Sequence, residues 1–180
     1  VFLHYMSEDG VAAFSIVCYV MPFIFMTANA IAQSGQPIIS YNYGADKLHR
    51  VNQARLLITR TALGAGVVAL LVGMLCSDYI VRIFLSPEYP SYMMAMAGLP
   101  IVALGFIPYI YNVTMIGYLQ SIERGRSAAL FSALRGVVLI IPAFIFMPQL
   151  IEGVGIWLAL PVAESVTMIL IYSYIEYRSN

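Results

Sequence analysis

Residues 10–45 read GVAAFSIVCYVMPFIFMTANAIAQSGQPIISYNYGA, and not one of them carries a charge. A helix needs about 20 mostly apolar residues to cross a hydrocarbon core of about 30 Å, so this stretch alone is long enough to span a bilayer. The pattern continues along the chain. No charged side chain occurs from Thr61 to Ser77 or from Tyr89 to Ile122, and the runs Ser127 to Ile151 and Gly153 to Ile175 hold one each, Arg135 and Glu164. Backbone N–H and C=O groups find no water in lipid. Only helices keep them paired over runs this long, since barrel strands are about ten residues and alternate in polarity. The sequence therefore predicts an all-α, polytopic integral membrane bundle of five transmembrane helices, over about residues 11–43, 56–77, 90–121, 127–149 and 154–175. These form a single membrane domain, with the lipid bilayer as the first partner.

Composition excludes several classes. Of 180 residues 61% are hydrophobic and 10% charged, against about 25% charged in soluble domains. Nine basic and nine acidic residues give no net charge, so no global field points to a nucleic-acid partner. Cys18 and Cys76 fall in apolar runs with no C-x-x-C or Cys/His spacing, and are expected to be packing residues rather than metal ligands. His4 and His49 fall in or near opposite connections, which places them at the interfaces. No Ser/His pair, H-E-x-x-H motif or pair of intramembrane aspartates occurs, so neither an enzyme nor a cofactor is expected. Val1 opens the chain without a basic stretch ahead of a short apolar one, so the reading is a piece of a longer protein without a signal peptide.

Loop charges set the topology, because Lys and Arg are retained on the cytoplasmic side. Lys47, Arg50, Arg55 and Arg60 follow the first span, Arg124 and Arg126 the third, and Arg178 the fifth; the opposite side receives only Arg82. The N-terminus is expected outside and the C-terminus in the cytoplasm. Gly44-Ala45-Asp46 breaks the chain as it enters the first basic connection, whose arginines are also within reach of anionic lipid. Tyr41, Tyr43, Tyr79, Tyr89, Tyr92, Tyr118, Tyr172 and Tyr174 cluster near predicted boundaries, as a headgroup-level ring requires. Ala62, Ala65, Gly66, Ala69 and Gly73 recur at helical spacing in the second span and permit close helix approach.

Polar groups inside the spans carry the functional signal. Asn29, Gln33, Gln36 and Ser40 share one face of the first helix, at steps of four, three and four, and must face either neighbouring helices or a wet cavity. Pro22 and Pro37 bracket the stripe and each removes a helix hydrogen bond, so kinks or exposed carbonyls are expected there. In the third span Tyr109 and Asn112 lie one turn apart beside Pro108, which leaves the carbonyl of Leu104 without its usual donor. That segment reads either as a kinked packed helix or as a site for planar or cationic amphiphiles. Arg135 and Glu164 each cost about 2.5–3.5 kcal/mol near a helix centre. They lie on the two arms of a hairpin turning near Glu152 and Gly153. They form an ion pair, or Glu164 takes a proton or coupling ion, or Arg135 extends toward the cytoplasmic face.

At these residues the chain resembles the multidrug and toxic compound extrusion (MATE) transporters, particularly their MepA-like branch. The resemblance is carried by residues 32–45 followed by Arg50-Val51, then Tyr118-Leu119-Gln120-Ser121-Ile122, Leu134-Arg135-Gly136, Ile141-Pro142 and Gly155-Ile156-Trp157-Leu158-Ala159 with Pro161 and Glu164, in the family's order. It implies helices eight to twelve of a twelve-helix protein, most of the C-terminal lobe of a two-lobe transporter whose N-terminal lobe is missing here. It further implies a bacterial cytoplasmic membrane and secondary active antiport, coupled to Na+ or H+, that exports drugs or toxic organic cations and amphiphiles. Asn29, Gln33, Gln36, Tyr109 and Asn112 then become candidate cavity residues, and Arg135 with Glu164 a candidate intramembrane charge pair or coupling site. The third span lacks the acidic residue that sodium-coupled relatives place in their tenth helix, so that ion site is not carried over. A lipid or oligosaccharide flippase of the same superfamily is the alternative, ranked lower because Arg135 is the one basic residue available to its cavity. An inactive membrane fragment or scaffold is the other.

Overall fold

The computed structural model describes residues 7–179, with side chains through Tyr177; Val1, His4 and the side chain of Arg178 lie outside the described residues. Helix α1 (Glu8–Gly44) runs continuously through both Pro22 and Pro37. There follow α2 (Leu48–Leu75), the short α3 (Ser77–Arg82), α4 (Pro90–Ala103), α5 (Phe106–Ser121), α6 (Gly125–Ala133), a π-helical turn (Leu134–Leu139) and α7 (Ile140–Ser179). No strand occurs among the described residues.

Three runs among the described residues are long and apolar enough to cross a membrane: α1, α2 and the 53 residues Gly125–Tyr177. Helices α4 and α5 make a further crossing, bent by 47° at their junction. The 53-residue run is itself two crossings. Its backbone leaves helical geometry at Ile151 and Glu152, and the Glu152 dihedrals (φ 50°, ψ −140°) reverse the chain. Contacts nest around that point: Gly155 against the Met147 carbonyl, Arg135 against Glu164, and Ser127 Oγ 2.7 Å from the Tyr174 hydroxyl. The nesting defines an antiparallel hairpin, so the described residues form a helical bundle of five passes.

Helix α5 is the axis of the bundle. It packs against α1, α2, α6 and the second arm of α7, and is buried almost along its whole length. A helix that is apolar all round belongs in such a position. Small residues let the neighbours close on it: a Cβ at Gly117 would stand 2.8 Å from that of Ala32 on α1, and one at Gly66 of α2 would stand 2.8 Å from the backbone of Ile107. At the bend, a Cβ on Gly105 would meet the Pro161 backbone at 3.1 Å. The small stripe of α2 works as read, with Ala62, Gly66 and Gly73 buried. One assignment changes: Cys18 is exposed rather than packed. Tyr92 and Tyr118 lie toward the ends of the bundle but are buried against protein.

Two helix ends share one design. At the ends of α1 and α5, an acid adopts the left-handed conformation, Asp46 at φ 53° and Glu123 at φ 60°. The N–H of the next residue then bonds back five positions, Lys47 to the Asn42 carbonyl at 2.8 Å and Arg124 to the Leu119 carbonyl at 2.9 Å. This pattern caps the last carbonyls of each helix. The turn after α1 was legible, but Asp46 rather than Gly44 takes the strained position, since no glycine among the described residues has positive φ.

On the opposite end, α3 is fastened to α4. The Tyr92 hydroxyl donates to Asp78 Oδ1, and Arg82 Nε lies 3.1 Å from Asp78 Oδ2. The Tyr92 hydrogen bond, with Arg82 beside it and against the opposing effect of desolvation, holds the Asp78 carboxyl below its ordinary value of 3.8. The folded pKa being the lower one, this contribution is complete above the unfolded value and is lost as pH falls through the folded pKa.

Replacing Glu123 by Gly removes a Cβ from a left-handed position and is expected to raise stability by about 1 kcal/mol, read as a higher unfolding midpoint in detergent; a lower midpoint contradicts the capping geometry. For Tyr92→Phe, the midpoint difference from wild type should be constant above about pH 5 and shrink below about pH 4. A difference that grows on acidification would show that the clamp does not depend on ionised Asp78.

Candidate functional site

Between α1, α5 and the α6–π segment lies a cavity of about 510 Å³. The stripe on α1 supplies Asn29, Gln33 and Gln36, α5 supplies Gln120, and the facing segment supplies Ser132 and Arg135. Pro37 also stands in the wall and cannot donate to the carbonyl of Gln33, which adds a backbone acceptor to a lining already rich in amides. The stripe divides at Ser40, whose hydroxyl donates instead to the Ser121 carbonyl of α5 at 3.2 Å. Three members of the stripe thus line the cavity and the fourth ties helices together.

Behind the cavity is a buried charge cluster. Arg135 Nε donates to Glu164 Oε1 at 2.8 Å and to Oε2 at 2.9 Å, with the arginine side chain 17% exposed and the glutamate 3%. Asn112, fully buried, donates through Nδ2 to Glu164 Oε2 at 2.8 Å and to the Glu164 backbone carbonyl at 2.9 Å. The ring of Tyr109 lies 4.0 Å from the Arg135 guanidinium carbon, which places the cation over the aromatic face. Tyr109 and Asn112 were expected in the cavity wall. They stand behind it instead, Tyr109 under Arg135 and Asn112 on Glu164, because the carboxylate and the guanidinium need partners more than the cavity needs a lining. Arg135 is the one residue shared by cavity and cluster.

Arg135 also sits in the π-helical turn, where the backbone carries one residue more per turn than an α-helix. Periodicity could not have revealed that turn; Gly136 inside an apolar run was the one local hint. Sequence reasoning also passed over Phe25 and Ser132 as cavity residues, and Gln120 was noticed as part of a motif but not as lining. Among the described residues no group of three or more His, Cys, Asp or Glu could hold a metal ion. The Asn112 Oδ1 atom is buried without a hydrogen-bond partner beside Glu164, so the cluster has a spare neutral oxygen next to its carboxylate.

Together the apolar helices, the amide-lined cavity and the buried charge pair define a multi-pass, all-helical membrane protein. The chain belongs to the MatE family, whose model matches residues 1–145. Its fold is that of solved MATE transporters. It superposes with a TM-score of 0.88 on an outward-facing multidrug resistance MATE family transporter of the MOP superfamily, at 15% identity over 97% of this chain and 39% of that one. It superposes likewise at 0.84 on a MATE in complex with MaD3S (19% identity, 96% and 39% covered), and at 0.83 on a MATE in complex with MaL6 (14%, 97% and 40%). The chain spans about two-fifths of the length of these structures. No curated protein sequence gives a significant match.

Removing one member of the pair leaves an uncompensated buried charge, so Arg135→Met and Glu164→Leu are each expected to cost about 3–5 kcal/mol. The double variant should recover most of that loss, as read from unfolding midpoints in detergent. Additive losses would show that the two side chains do not interact.

Proposed function

We propose that the chain is most of the C-terminal lobe of a cation-coupled MATE antiporter of the MepA-like branch. It would reside in the bacterial cytoplasmic membrane and export drug-like organic cations or amphiphiles. The observation that carries the proposal is a cavity whose single basic lining residue, Arg135, is held by a carboxylate buried behind it. Amides beside a single aromatic ring, Phe25, accept varied amphiphiles because they impose no single geometry. With Glu164 ionised, Arg135 is neutralised and a cationic substrate meets no net repulsion. When Glu164 takes the coupling cation, H+ or Na+, its hold on Arg135 weakens and the guanidinium is free to turn into the cavity, where its charge disfavours the substrate. The ion and the substrate thereby compete through one side chain, which is the differential interaction that alternating access needs.

The order of the motifs along the chain supports placement in the C-terminal lobe. The positive-inside distribution supports basic connections in the cytoplasm and an N-terminal end outside. A flippase handling lipid-linked phosphates or sugars calls for several basic residues in its cavity, and this one has a single compensated arginine.

The test is export of ethidium by the full-length protein in proteoliposomes, under an imposed sodium or pH gradient. Export should follow one of the two gradients, and Glu164→Gln should lower gradient-driven export at least about tenfold while ethidium binding persists. Ethidium retention that ignores both gradients refutes the antiport; wild-type export by Glu164→Gln assigns the pair a purely structural role.

A further inference from the structure

At the end of the bundle that carries the basic connections lies a second cavity, of about 230 Å³, separate from the one described above. Arg55 of α2 and Arg124 from the turn after α5 both line it, with Asn52, Tyr43 and Tyr118 between them. Neither arginine forms an ion pair with an acid among the described residues, and none of Asp46, Glu123 and Glu176 lines the space. The Arg55 Nε atom is buried and has no hydrogen-bond partner. A buried guanidinium N–H without an acceptor is costly, and in a polar cavity it marks where an acceptor belongs.

The helix termini around the cavity favour the same sign of ligand. Helix α2 starts at the cavity wall, at Leu48, without a side-chain cap, which sets the positive end of its dipole toward this end of the bundle. The two helix C-termini nearby, which would repel an anion, have their last carbonyls closed by the Lys47 and Arg124 N–H bonds. Two arginines without an acidic partner among the described residues, an amide and two tyrosines converge on one small space, whose remaining walls are aliphatic.

We propose that this cavity is a binding site for a phosphate group. Its geometry suits a phosphodiester or phosphomonoester: guanidinium forks match phosphate oxygens, and Leu48, Val51 and Ile175 offer an apolar flank to whatever the phosphate is attached to. Two sources supply that chemistry at this depth, the headgroup of an anionic phospholipid and free phosphate in solution. The site does not depend on the transport mechanism proposed above, and its test does not use transport.

The full-length protein in detergent is titrated with phosphatidylglycerol and with phosphatidylcholine, and bound lipid is counted by native mass spectrometry. Wild type should bind one phosphatidylglycerol about thirtyfold more tightly than phosphatidylcholine, a preference of the size two basic side chains give near a bilayer surface. Arg55→Gln and Arg124→Gln should each remove most of that preference, while Arg60→Gln, exposed on the same helix outside the cavity, should keep it. Inorganic phosphate is then added as competitor. If it displaces the lipid and raises the unfolding midpoint of wild type but not of Arg124→Gln, phosphate itself suffices and a soluble source is supported; if it does neither while the lipid preference stands, the lipid is the ligand. Should Arg55→Gln fail to fold, Arg124→Gln reports on the same cavity. The proposal is overturned if wild type shows neither a lipid preference nor a phosphate shift, or if all three arginine variants weaken binding equally, which is the result for diffuse surface charge.

Discussion

Helix α5 has protein on nearly every side, and the arrangement of the other helices follows from that burial. In a bilayer the hydrophobic effect cannot drive this, because acyl chains are as apolar as leucine. What brings helices together is close van der Waals fit and the need of polar groups to find one another. Gly117 against Ala32 and Gly66 against Ile107 provide the fit, and the Ser40 bond to the Ser121 carbonyl adds a polar tie between α1 and α5. The bend before α5 is seated on the Pro161 backbone, so the axis of the bundle is set jointly by a glycine on one helix and a proline on another.

The second organising demand comes from the two charges placed well inside the hairpin arms, Arg135 and Glu164. Glu164 is almost wholly buried, and Arg135, Asn112 and the Tyr109 ring are gathered around them. Such a cluster fixes the register of the α6–α7 hairpin against α5 more firmly than aliphatic contacts do, because a shift of one turn would strand a charge in an apolar interior. The cavity inherits its geometry from the same cluster. Its amide wall belongs to α1 and its one cationic residue is positioned from behind.

Much of this was legible in the sequence, and the limits have physical causes. The five apolar runs, the turn at Gly44–Asp46 and the hairpin tip at Glu152 could be read because membrane thickness fixes span length and reversals need turn chemistry. The cavity stripe was readable because Asn29, Gln33 and Gln36 repeat at helical spacing. Which apolar face meets lipid and which meets protein was not readable, since both environments accept the same side chains; hence Cys18 is exposed, and Tyr92 and Tyr118 are buried against protein. Asn112 was singled out but given to the wrong neighbour, because a single sequence does not say that the buried carboxylate claims it first. The arginines of the first connection were read mainly as topology signals, and only the fold shows that Arg55 turns inward beside Arg124.

The π turn at Leu134–Leu139 leaves the helix with a surplus residue. Each residue of an α-helix rotates the chain by about 100°, so closing the turn to ordinary α geometry would swing every side chain on one side of it by about that angle relative to the other. Arg135 and the hairpin tip lie at opposite ends of that swivel. The loosest winding among the described helices therefore falls where the cation of the cavity is mounted, and a twist there would re-aim the guanidinium away from Glu164.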